Sequence, residues 1–231
     1  MAPAPPRPTG HADRRPRRRR VQVPGVTFER RFWEEGAVVA GVDEVGRGAW
    51  AGRVTVAAVV LPSDRRMYRL RDSKQLEPGL REHLADRLAR FAVATGIGHA
   101  GNDEVDRVGL SAALRLAARR AVDALPRRPD VVLLDGNWDL LAGYGTRNEL
   151  VVGGDARCAS IAAASIVAKV ARDRTMVAAA AEHPGYAFDA NKGYGSPAHR
   201  EALERHGPCP LHRRSWAPVR QLLQPSLFDG A

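Results

Sequence analysis

The sequence predicts an α/β fold in which a mixed sheet of about five strands is flanked by helices. Short apolar runs, each of strand length, recur along the chain and are separated by segments with helical periodicity. Acidic residues directly follow two of these runs, and a third acid lies shortly after another. Alternating strands and helices are typical of a layered α/β domain, and acids at strand ends indicate a functional edge of its sheet.

The first two strands are predicted to pair with each other. Residues 37–43 form an apolar run typical of a buried strand, and residues 52–61 form its neighbour, which Pro62 closes. Because the connection over 44–51 is short, we expect these strands to be antiparallel. Further strands are expected near 97–100, 130–135 and 150–152.

Helices are predicted between and after these strands. Apolar residues recur at Leu80, Leu84, Leu88 and Phe91, which is a helical spacing, and Pro78 suits a first turn. A short segment over 28–35 leads into the core, and further helices are expected over 111–125, 159–183 and 196–206. The last of these forms a C-terminal helical extension of the α/β domain.

The positive charge is concentrated at the N-terminus. The chain of 231 residues carries a formal net charge of +10, and residues 1–27 contribute seven arginines against one aspartate. We expect 1–27 to be a disordered basic arm, 28–220 the folded domain and 221–231 a tail. The arm either strengthens nucleic-acid binding by counterion release or is a solvated tail of little consequence.

Composition excludes several classes of protein. No apolar run approaches the roughly 20 residues that a membrane helix needs, and no signal peptide is present, so we expect a cytoplasmic protein. Cys158 and Cys209 are expected to be free thiols. The spacing of His206, Cys209 and His212 resembles a zinc site, but the fourth ligand is missing and flanking prolines favour a tight loop.

Acidic residues at strand ends are the main chemical signal. Asp43 and Glu44 end the first apolar run, Asp135 ends the run 131–134, and Asp155 follows two glycines after residues 150–152. Such carboxylates repel one another unless a hard cation such as Mg²⁺ binds between them. Two metals bridged by a carboxylate suit phosphoryl transfer. Alternatively, Asp43 and Glu44 only cap a turn.

A glycine-rich segment follows the acidic pair. It superficially resembles a phosphate-binding loop, but it lacks the Lys-Ser/Thr pair, and its acids would repel a nucleoside triphosphate. Gly46, Arg47 and Gly48 instead suit close approach to a nucleic-acid backbone, where a 2′-hydroxyl distinguishes RNA from DNA. Ser73 and Lys74, after Asp72, suit a phosphate contact or an ordinary helix cap.

Taken together, these motifs resemble bacterial ribonuclease HII over residues 37–220. They occur in that family's order: Gly41-Val-Asp43-Glu44-Val-Gly46-Arg47-Gly48, Asp72-Ser73-Lys74, Leu134-Asp135-Gly136-Asn137, Gly154-Asp155, residues 160–173, Lys192-Gly193-Tyr194-Gly195 and His212-Arg213-Arg214-Ser215.

The resemblance implies an RNase H-like fold and a metal-dependent endonuclease. It implies hydrolysis of the RNA strand of RNA–DNA hybrids and cleavage 5′ to ribonucleotides in duplex DNA, by two-metal catalysis that leaves 5′-phosphate and 3′-hydroxyl ends. Mn²⁺ or Mg²⁺ would bind at Asp43, Glu44, Asp135 and Asp155. Substrate would be bound by Gly46, Arg47, Gly48, Ser73, Lys74, Lys192 and Tyr194, with the tyrosine on the sugar of the next nucleotide.

Three features of the sequence bear on these implications. Asp173 competes with Asp155 for the fourth carboxylate, but it lies beside Lys169 and Arg172 within a helix, so we favour Asp155. Ala49-Trp50 replaces the family's usual Pro-Leu, which leaves the rigidity of that turn open. An asparagine common in the family near residues 108–110 is absent.

The C-terminal tail carries a further signal. Gln224, Leu227 and Phe228 are similar to the short peptide by which bacterial repair proteins bind the DNA sliding clamp. A frayed end that folds back on the core is the alternative. We otherwise expect a monomer. Two rival functions remain: an RNase H-like DNA nuclease of the junction-resolvase type, and a non-catalytic basic nucleic-acid-binding protein.

Overall fold

A computed structural model of the chain describes residues 23–223. The sheet consists of β1 (Val39–Val45), β2 (Val54–Val60), β3 (Ala94–Ala100), β4 (Val131–Asp135) and β5 (Arg147–Val151). The helices within residues 23–223 are α1 (Thr27–Trp33), α2 (Pro78–Phe91), α3 (Asn102–Val108), α4 (Leu110–Asp123), α5 (Ala159–Glu182), α6 (Phe188–Asn191), α7 (Pro197–His206) and α8 (Ala217–Leu223). Short 3-10 helices cover Ser73–Gln75 and Gly154–Ala156.

The five strands form one mixed sheet, which confirms the predicted architecture. The strand order is β3-β2-β1-β4-β5. β1 pairs antiparallel with β2, as predicted from the short connection, and β2 pairs antiparallel with β3. β4 lies parallel to both β1 and β5. The carboxyl ends of β1, β4 and β5 therefore meet at one edge of the sheet.

Helices cover both faces of the sheet, and glycines in the strands let them approach closely. α4 packs over β2 and β3, where a Cβ at Gly98 would lie 2.1 Å from the carbonyl oxygen of Ala117. α5 packs over β1 and β2, where a Cβ at Gly41 would lie 2.2 Å from the carbonyl carbon of Ser160. Both positions therefore require glycine, and α5 lies directly against the strand that carries Asp43.

The C-terminal part forms its own apolar cluster against the end of α5. Met176 packs there with Phe188 of α6, Leu203 of α7 and Val219 of α8, all nearly inaccessible to solvent. This is the predicted C-terminal helical extension. α3, α6 and α8 were not predicted, because helices of four to seven residues show too little periodicity to be recognised.

The segment before α1 lies within the arm predicted over residues 1–27, and its last residues contact the domain. The Gly25 amide donates to the Arg157 carbonyl (3.1 Å), and the Ala159 amide donates to the Gly25 carbonyl (2.8 Å). The buried Glu29 accepts from the Ser160 amide at 2.7 Å and thereby caps α5. Within residues 23–223, no helix has the length and apolar character needed to cross a membrane.

Candidate active site

The predicted carboxylates lie at the edge where the parallel strands end. Val42 of β1 pairs with Leu134 of β4, so the next residues, Asp43 and Asp135, are neighbours on adjacent strands. β5 leads through Gly153, whose φ of +64° makes the turn, into the 3-10 helix that carries Asp155. Strand topology thus brings acids from three separate parts of the sequence to one edge.

Asp43 is the most buried of these acids. It is 6% exposed, and one of its oxygens accepts a hydrogen bond from the Glu44 amide at 2.7 Å. Burial raises the pKa of Asp43 well above its usual range, and the charges of Glu44 and Asp135 raise it further, against a smaller opposing effect of a hydrogen bond from Ser165. An ionised Asp43 therefore needs a cation nearby.

Asp135 and Asp155 are coupled to each other. The Gly154 amide donates to Asp135 Oδ1 at 2.7 Å, which ties the turn before α5 to the end of β4. Burial raises the pKa of Asp155, as do the charges of Asp135 and Asp72, whereas Lys74, whose Nζ lies 3.8 Å from Asp155 Oδ2, opposes them. Lys74 is thus a cation beside Asp155.

Glu44 follows Asp43 within β1, whose pairing with β2 continues as far as Val45, and its charge is close enough to raise the pKa of Asp43. The chain turns just after the acidic pair, at Gly46, whose φ is +92°. Glu44 Oε1 forms an ion pair with Arg47 at 3.2 Å, so the acidic residue and the glycine-rich loop are in direct contact.

The ligand atoms that the acidic residues of this site offer are those that bind a hard divalent cation. They are carboxylate oxygens, the ligands that Mg²⁺ and Mn²⁺ prefer. The negative charges of neighbouring carboxylates contribute to the raised pKa values of Asp43 and Asp155. A bound cation would offset this repulsion. With the side-chain conformations described for residues 23–223, no group of three or more His, Cys, Asp or Glu side chains is arranged to hold a metal ion. Asp135 and Asp155 are instead engaged by Gly154 and Lys74.

The glycine-rich loop pairs with the loop that carries Tyr194. Ala49 and Tyr194 form an antiparallel bridge, and the Trp50 amide donates to the Gly193 carbonyl at 2.8 Å. Trp50 packs so closely on Gly195 that a Cβ there would lie 2.2 Å from the indole. The pairing with residues 193–195 therefore holds the turn in which Ala49 and Trp50 lie.

Two fully buried arginines hold both loops by their backbone. Arg172 of α5 donates to the carbonyls of Arg53 (2.9 Å), Lys192 (2.8 Å) and Ala51 (3.0 Å). Arg213 donates to Arg47 (3.0 Å) and twice to Gly52 (3.1 and 2.9 Å). Burial lowers the pKa of Arg213 to about 10, and the charge of Arg172 adds to this effect. The sequence motifs contain both arginines, but no pattern assigned them this function.

Tyr194 contacts the basic residues of α5 through its ring and the glycine-rich loop through its backbone. Its ring is 5.2 Å from the Arg172 guanidinium and 5.9 Å from Lys169 Nζ, both within the range of cation–π interaction. Its backbone pairs with Ala49 of the glycine-rich loop. The structure thus brings Gly46, Arg47, Gly48 and Tyr194 together, next to the strand that carries Asp43 and Glu44.

The other predicted substrate contacts are placed differently. Ser73 is buried, and its hydroxyl oxygen lies 2.8 Å from Ser165 Oγ, which also forms a hydrogen bond with Asp43. Lys74 is exposed; burial lowers its pKa, but the surrounding acids, Asp72 first, outweigh that effect and raise it. The Lys192 ammonium donates to the Asp189 carbonyl, so its side chain bends back onto α6, while its own carbonyl binds Arg172.

Asp173 has a different environment from the acids at the sheet edge. It forms ion pairs with Lys169 (2.7 Å) and Arg81 (3.4 Å), and Arg81 in turn donates to the carbonyls of Ser73 and Leu76. This network ties α2 to α5. Asp173 is thus engaged in ion pairs between these two helices.

The histidine and cysteine spacing that resembles a zinc site has another explanation in the structure. The Cys209 amide donates to His212 Nδ1 at 2.9 Å, and His206 packs edge-on against the Tyr186 ring. The tight loop that the prolines favoured is thus held by a side-chain-to-backbone bond. Gln224, Leu227 and Phe228, proposed for clamp binding, lie outside the described residues.

Comparison with known proteins identifies relatives over most of the chain. The family model described as ribonuclease HII matches residues 40–219. The chain is 49% identical over 187 residues to ribonuclease HII of Streptomyces avermitilis, covering 81% of this chain and 80% of the relative. It is 45% identical over 227 residues to ribonuclease HII of Parvibaculum lavamentivorans, covering 97% and 84%.

Solved structures show the same fold. Ribonuclease H2 from Pyrococcus horikoshii OT3 matches with a TM-score of 0.69 at 26% identity, over 80% of this chain and 96% of that one. The RNase HII of the PCNA:RNase HII complex from Archaeoglobus fulgidus matches at 0.66 and 24%, over 78% and 95%. Bst-RNase HIII in complex with Mn²⁺ matches at 0.61 and 19%, over 81% and 69%. The fold is therefore RNase H-like, and the chain belongs to the ribonuclease HII family of RNase H-type endonucleases.

Proposed function

We propose that the protein hydrolyses the RNA strand of RNA–DNA hybrids and cuts duplex DNA 5′ to embedded ribonucleotides, leaving 5′-phosphate and 3′-hydroxyl ends. One observation carries the proposal: β1 delivers Asp43 and Glu44 and then turns at Gly46 into the loop that pairs with Tyr194. An acidic site and a backbone-rich nucleic-acid contact are thereby joined within a few residues.

Asp43, Glu44, Asp135 and Asp155 would hold the divalent ions. Mn²⁺ is the ion in the Bst-RNase HIII complex, and Mg²⁺ suits the same oxygen ligands. Two such ions would activate the attacking water and neutralise the leaving 3′-oxygen. The chain's own contribution is to hold Asp43 buried and ionisable at the end of β1, with Asp135 and Asp155 tied together through the Gly154 amide.

The loop pair would recognise the ribonucleotide. Main-chain groups of Gly46, Arg47 and Gly48 would meet the 2′-hydroxyl, which both donates and accepts hydrogen bonds. The Tyr194 ring would pack on the sugar of the next nucleotide and favour deoxyribose there. Arg172 and Arg213 support this function, because they leave the loop's carbonyls little freedom to move.

Phosphate contacts would come from residues around the acids. Lys74 is exposed and lies between Asp155 and solvent, which suits a contact to the phosphate backbone. Ser73 supports it from a buried position, and Lys192 would contribute through its ammonium group, which would exchange the Asp189 carbonyl for a phosphate oxygen. We propose that the arginine-rich arm adds affinity through counterion release.

A sliding clamp is proposed as a protein partner. The Archaeoglobus relative has been solved in complex with PCNA, and the tail of this chain carries Gln224, Leu227 and Phe228. A pull-down with the bacterial clamp is expected to retain the wild type and to lose the Leu227→Ala/Phe228→Ala variant. Equal retention of both would contradict the partner proposal and leave the nuclease proposal unaffected.

The nuclease proposal is tested with duplex DNA that contains one ribonucleotide, incubated with Mn²⁺ or Mg²⁺. We expect one cut 5′ to the ribonucleotide, no cut when that residue is a deoxyribonucleotide, and no cut by Asp43→Asn. Cleavage of the all-DNA duplex at an equal rate would favour a junction-resolvase type of nuclease. Chelator-insensitive binding without cleavage would favour a non-catalytic binding protein.

A further inference from the structure

Two histidines are buried against each other beneath the Tyr194 loop. His199 lies on α7 and His212 in the loop that follows it, and they are 0% and 1% exposed. Their Nε2 atoms are 3.0 Å apart, which is a hydrogen-bond distance. The rings of Trp50 and Phe188 surround His199 at centroid distances of 5.6 and 5.5 Å. The pair is thus sealed from water in an aromatic cage.

The outer nitrogens of the pair meet partners of fixed polarity. His199 Nδ1 faces the Tyr194 carbonyl at 2.9 Å, and a carbonyl only accepts, so Nδ1 carries the proton. A neutral ring has one N–H, so His199 Nε2 is an acceptor, and His212 Nε2–H donates to it. His212 Nδ1 is then an acceptor, and the Cys209 amide donates to it at 2.9 Å.

The opposite assignment fails. His212 Nδ1 also lies 3.3 Å from the Cys209 carbonyl, and a proton there would reverse the direction of the bond between the rings. His199 Nδ1 would then be unprotonated while facing the Tyr194 carbonyl at 2.9 Å, with two acceptors in contact. The Cys209 amide would also lose its acceptor. A single pair of tautomers therefore satisfies every group.

This chain of hydrogen bonds ends on the backbone of Tyr194. The Tyr194 carbonyl accepts from His199 Nδ1 and from the Ser196 amide (2.8 Å), while the Tyr194 amide donates to the Asn191 carbonyl (3.0 Å). The Ser196 hydroxyl caps α7 at the His199 amide (3.2 Å). His199 is thus the side chain that joins α7 to the backbone position from which the Tyr194 ring projects.

We propose that His199 and His212 are positioning residues that set the sugar selectivity of the Tyr194 subsite: His199 holds the Tyr194 carbonyl, and His212 fixes the tautomer of His199. This inference rests on the proposed function of Tyr194. Neither histidine touches the substrate, so both act through the tyrosine.

The tautomers are measured directly by imidazole ¹⁵N NMR on the full-length protein at pH 7. We expect His199 to be protonated at Nδ1 and His212 at Nε2. Protonation of His199 at Nε2, or a cationic ring in either residue, would overturn the proposal. This measurement does not depend on any enzymatic activity.

Selectivity is tested with a matched pair of variants. His199→Asn keeps an N–H donor near the position of Nδ1, whereas His199→Leu keeps comparable volume without a donor. Cleavage is measured on two duplexes that differ only in the sugar 3′ to the ribonucleotide, deoxyribose or ribose. We expect His199→Leu to reduce the ratio of kcat/KM for the two duplexes by about fivefold, the effect of one hydrogen bond. His199→Asn is expected to keep the ratio within about twofold of wild type on the same scale.

Equal loss of the ratio in both variants, or no loss in His199→Leu, would show a merely structural role and overturn the proposal. If His199→Leu does not fold, His212→Asn replaces it, because its oxygen still accepts from the Cys209 amide while His199 loses its donor. The ratio is again expected to fall, and an unchanged ratio overturns the proposal.

The controls separate this proposal from the proposed function. A wild type that cuts neither duplex contradicts the nuclease proposal, whereas the NMR tautomers still report on the histidine pair. A wild type that cuts both duplexes equally leaves the nuclease proposal standing and overturns the selectivity that the pair would set.

Discussion

Replacement of Gly46 by alanine tests whether buried arginines hold the glycine-rich loop. Gly46 has a φ of +92°, a conformation that a residue with a Cβ adopts only under strain. The added Cβ would also lie 2.4 Å from Arg172 Nε and 2.9 Å from its Cδ. Arg172 has no room to give way, because it is fully buried and its three hydrogen bonds fix it to the surrounding carbonyls.

The expected destabilisation has two parts. Backbone strain at a positive φ contributes about 2 kcal/mol. Displacement of the guanidinium breaks at least one hydrogen bond from a charged donor, which contributes about 1.5 kcal/mol or more. A domain of this size loses about 2–4 °C in Tm per kcal/mol, so we expect a fall of about 7–14 °C.

Gly48→Ala is the matched control. Gly48 does not have a positive φ in the left-handed range, and a Cβ there would meet nothing within 4 Å. We expect its Tm to stay within about 2 °C of wild type, as for an ordinary surface substitution. Thermal unfolding followed by circular dichroism gives both values. Equal Tm values for Gly46→Ala and Gly48→Ala would refute the idea that Arg172 is a rigid support of the loop.

Three further predictions concern the acids and the histidine pair. Asp43→Asn is expected to lower cleavage by at least about 100-fold, more than loss of a supporting residue does. The same substitution should also raise Tm in the absence of divalent ions, because it removes a buried carboxylate whose pKa is raised by burial and by the neighbouring acids. An unchanged or lower Tm contradicts this. Asp155→Asn should abolish metal-dependent cleavage. Asp173→Asn should leave measurable cleavage but lower the urea midpoint of unfolding, since it breaks two ion pairs. The reverse result would exchange the roles of the two acids. Burial, with smaller effects of His199 and His183, lowers the pKa of His212 to about 4 from its usual 6.5, so the folded state binds fewer protons. The free energy of unfolding should therefore fall by up to about 3 kcal/mol from pH 6.5 to about 4, with no such change above pH 6.5; urea unfolding at several pH values should show a flatter profile in His212→Asn.

Local patterns in the sequence were sufficient for the strands and the longer helices, but not for the short helices α3, α6 and α8. Apolar runs predicted all five strands to within a few residues, and Asp135 lies at the end of its strand as predicted, whereas β1 continues past Asp43 to Val45. Such patterns depend on neighbours a few positions away, and the sequence contains that information completely. The motif order also sufficed to indicate the family, which the comparisons confirmed.

Only the tertiary structure showed what supports the site. Arg172 and Arg213 look like ordinary charges in a basic chain, yet they are buried and bind carbonyls far away in sequence; Arg213 reaches Gly52, 161 positions earlier. The pairing of His199 with His212 likewise depends on how α7 and its following loop pack together. A hydrogen-bond partner is set by the folded path of the whole chain and not by local spacing, so the sequence alone determined which residues could act, and the packing of distant segments decided what each of them holds in place.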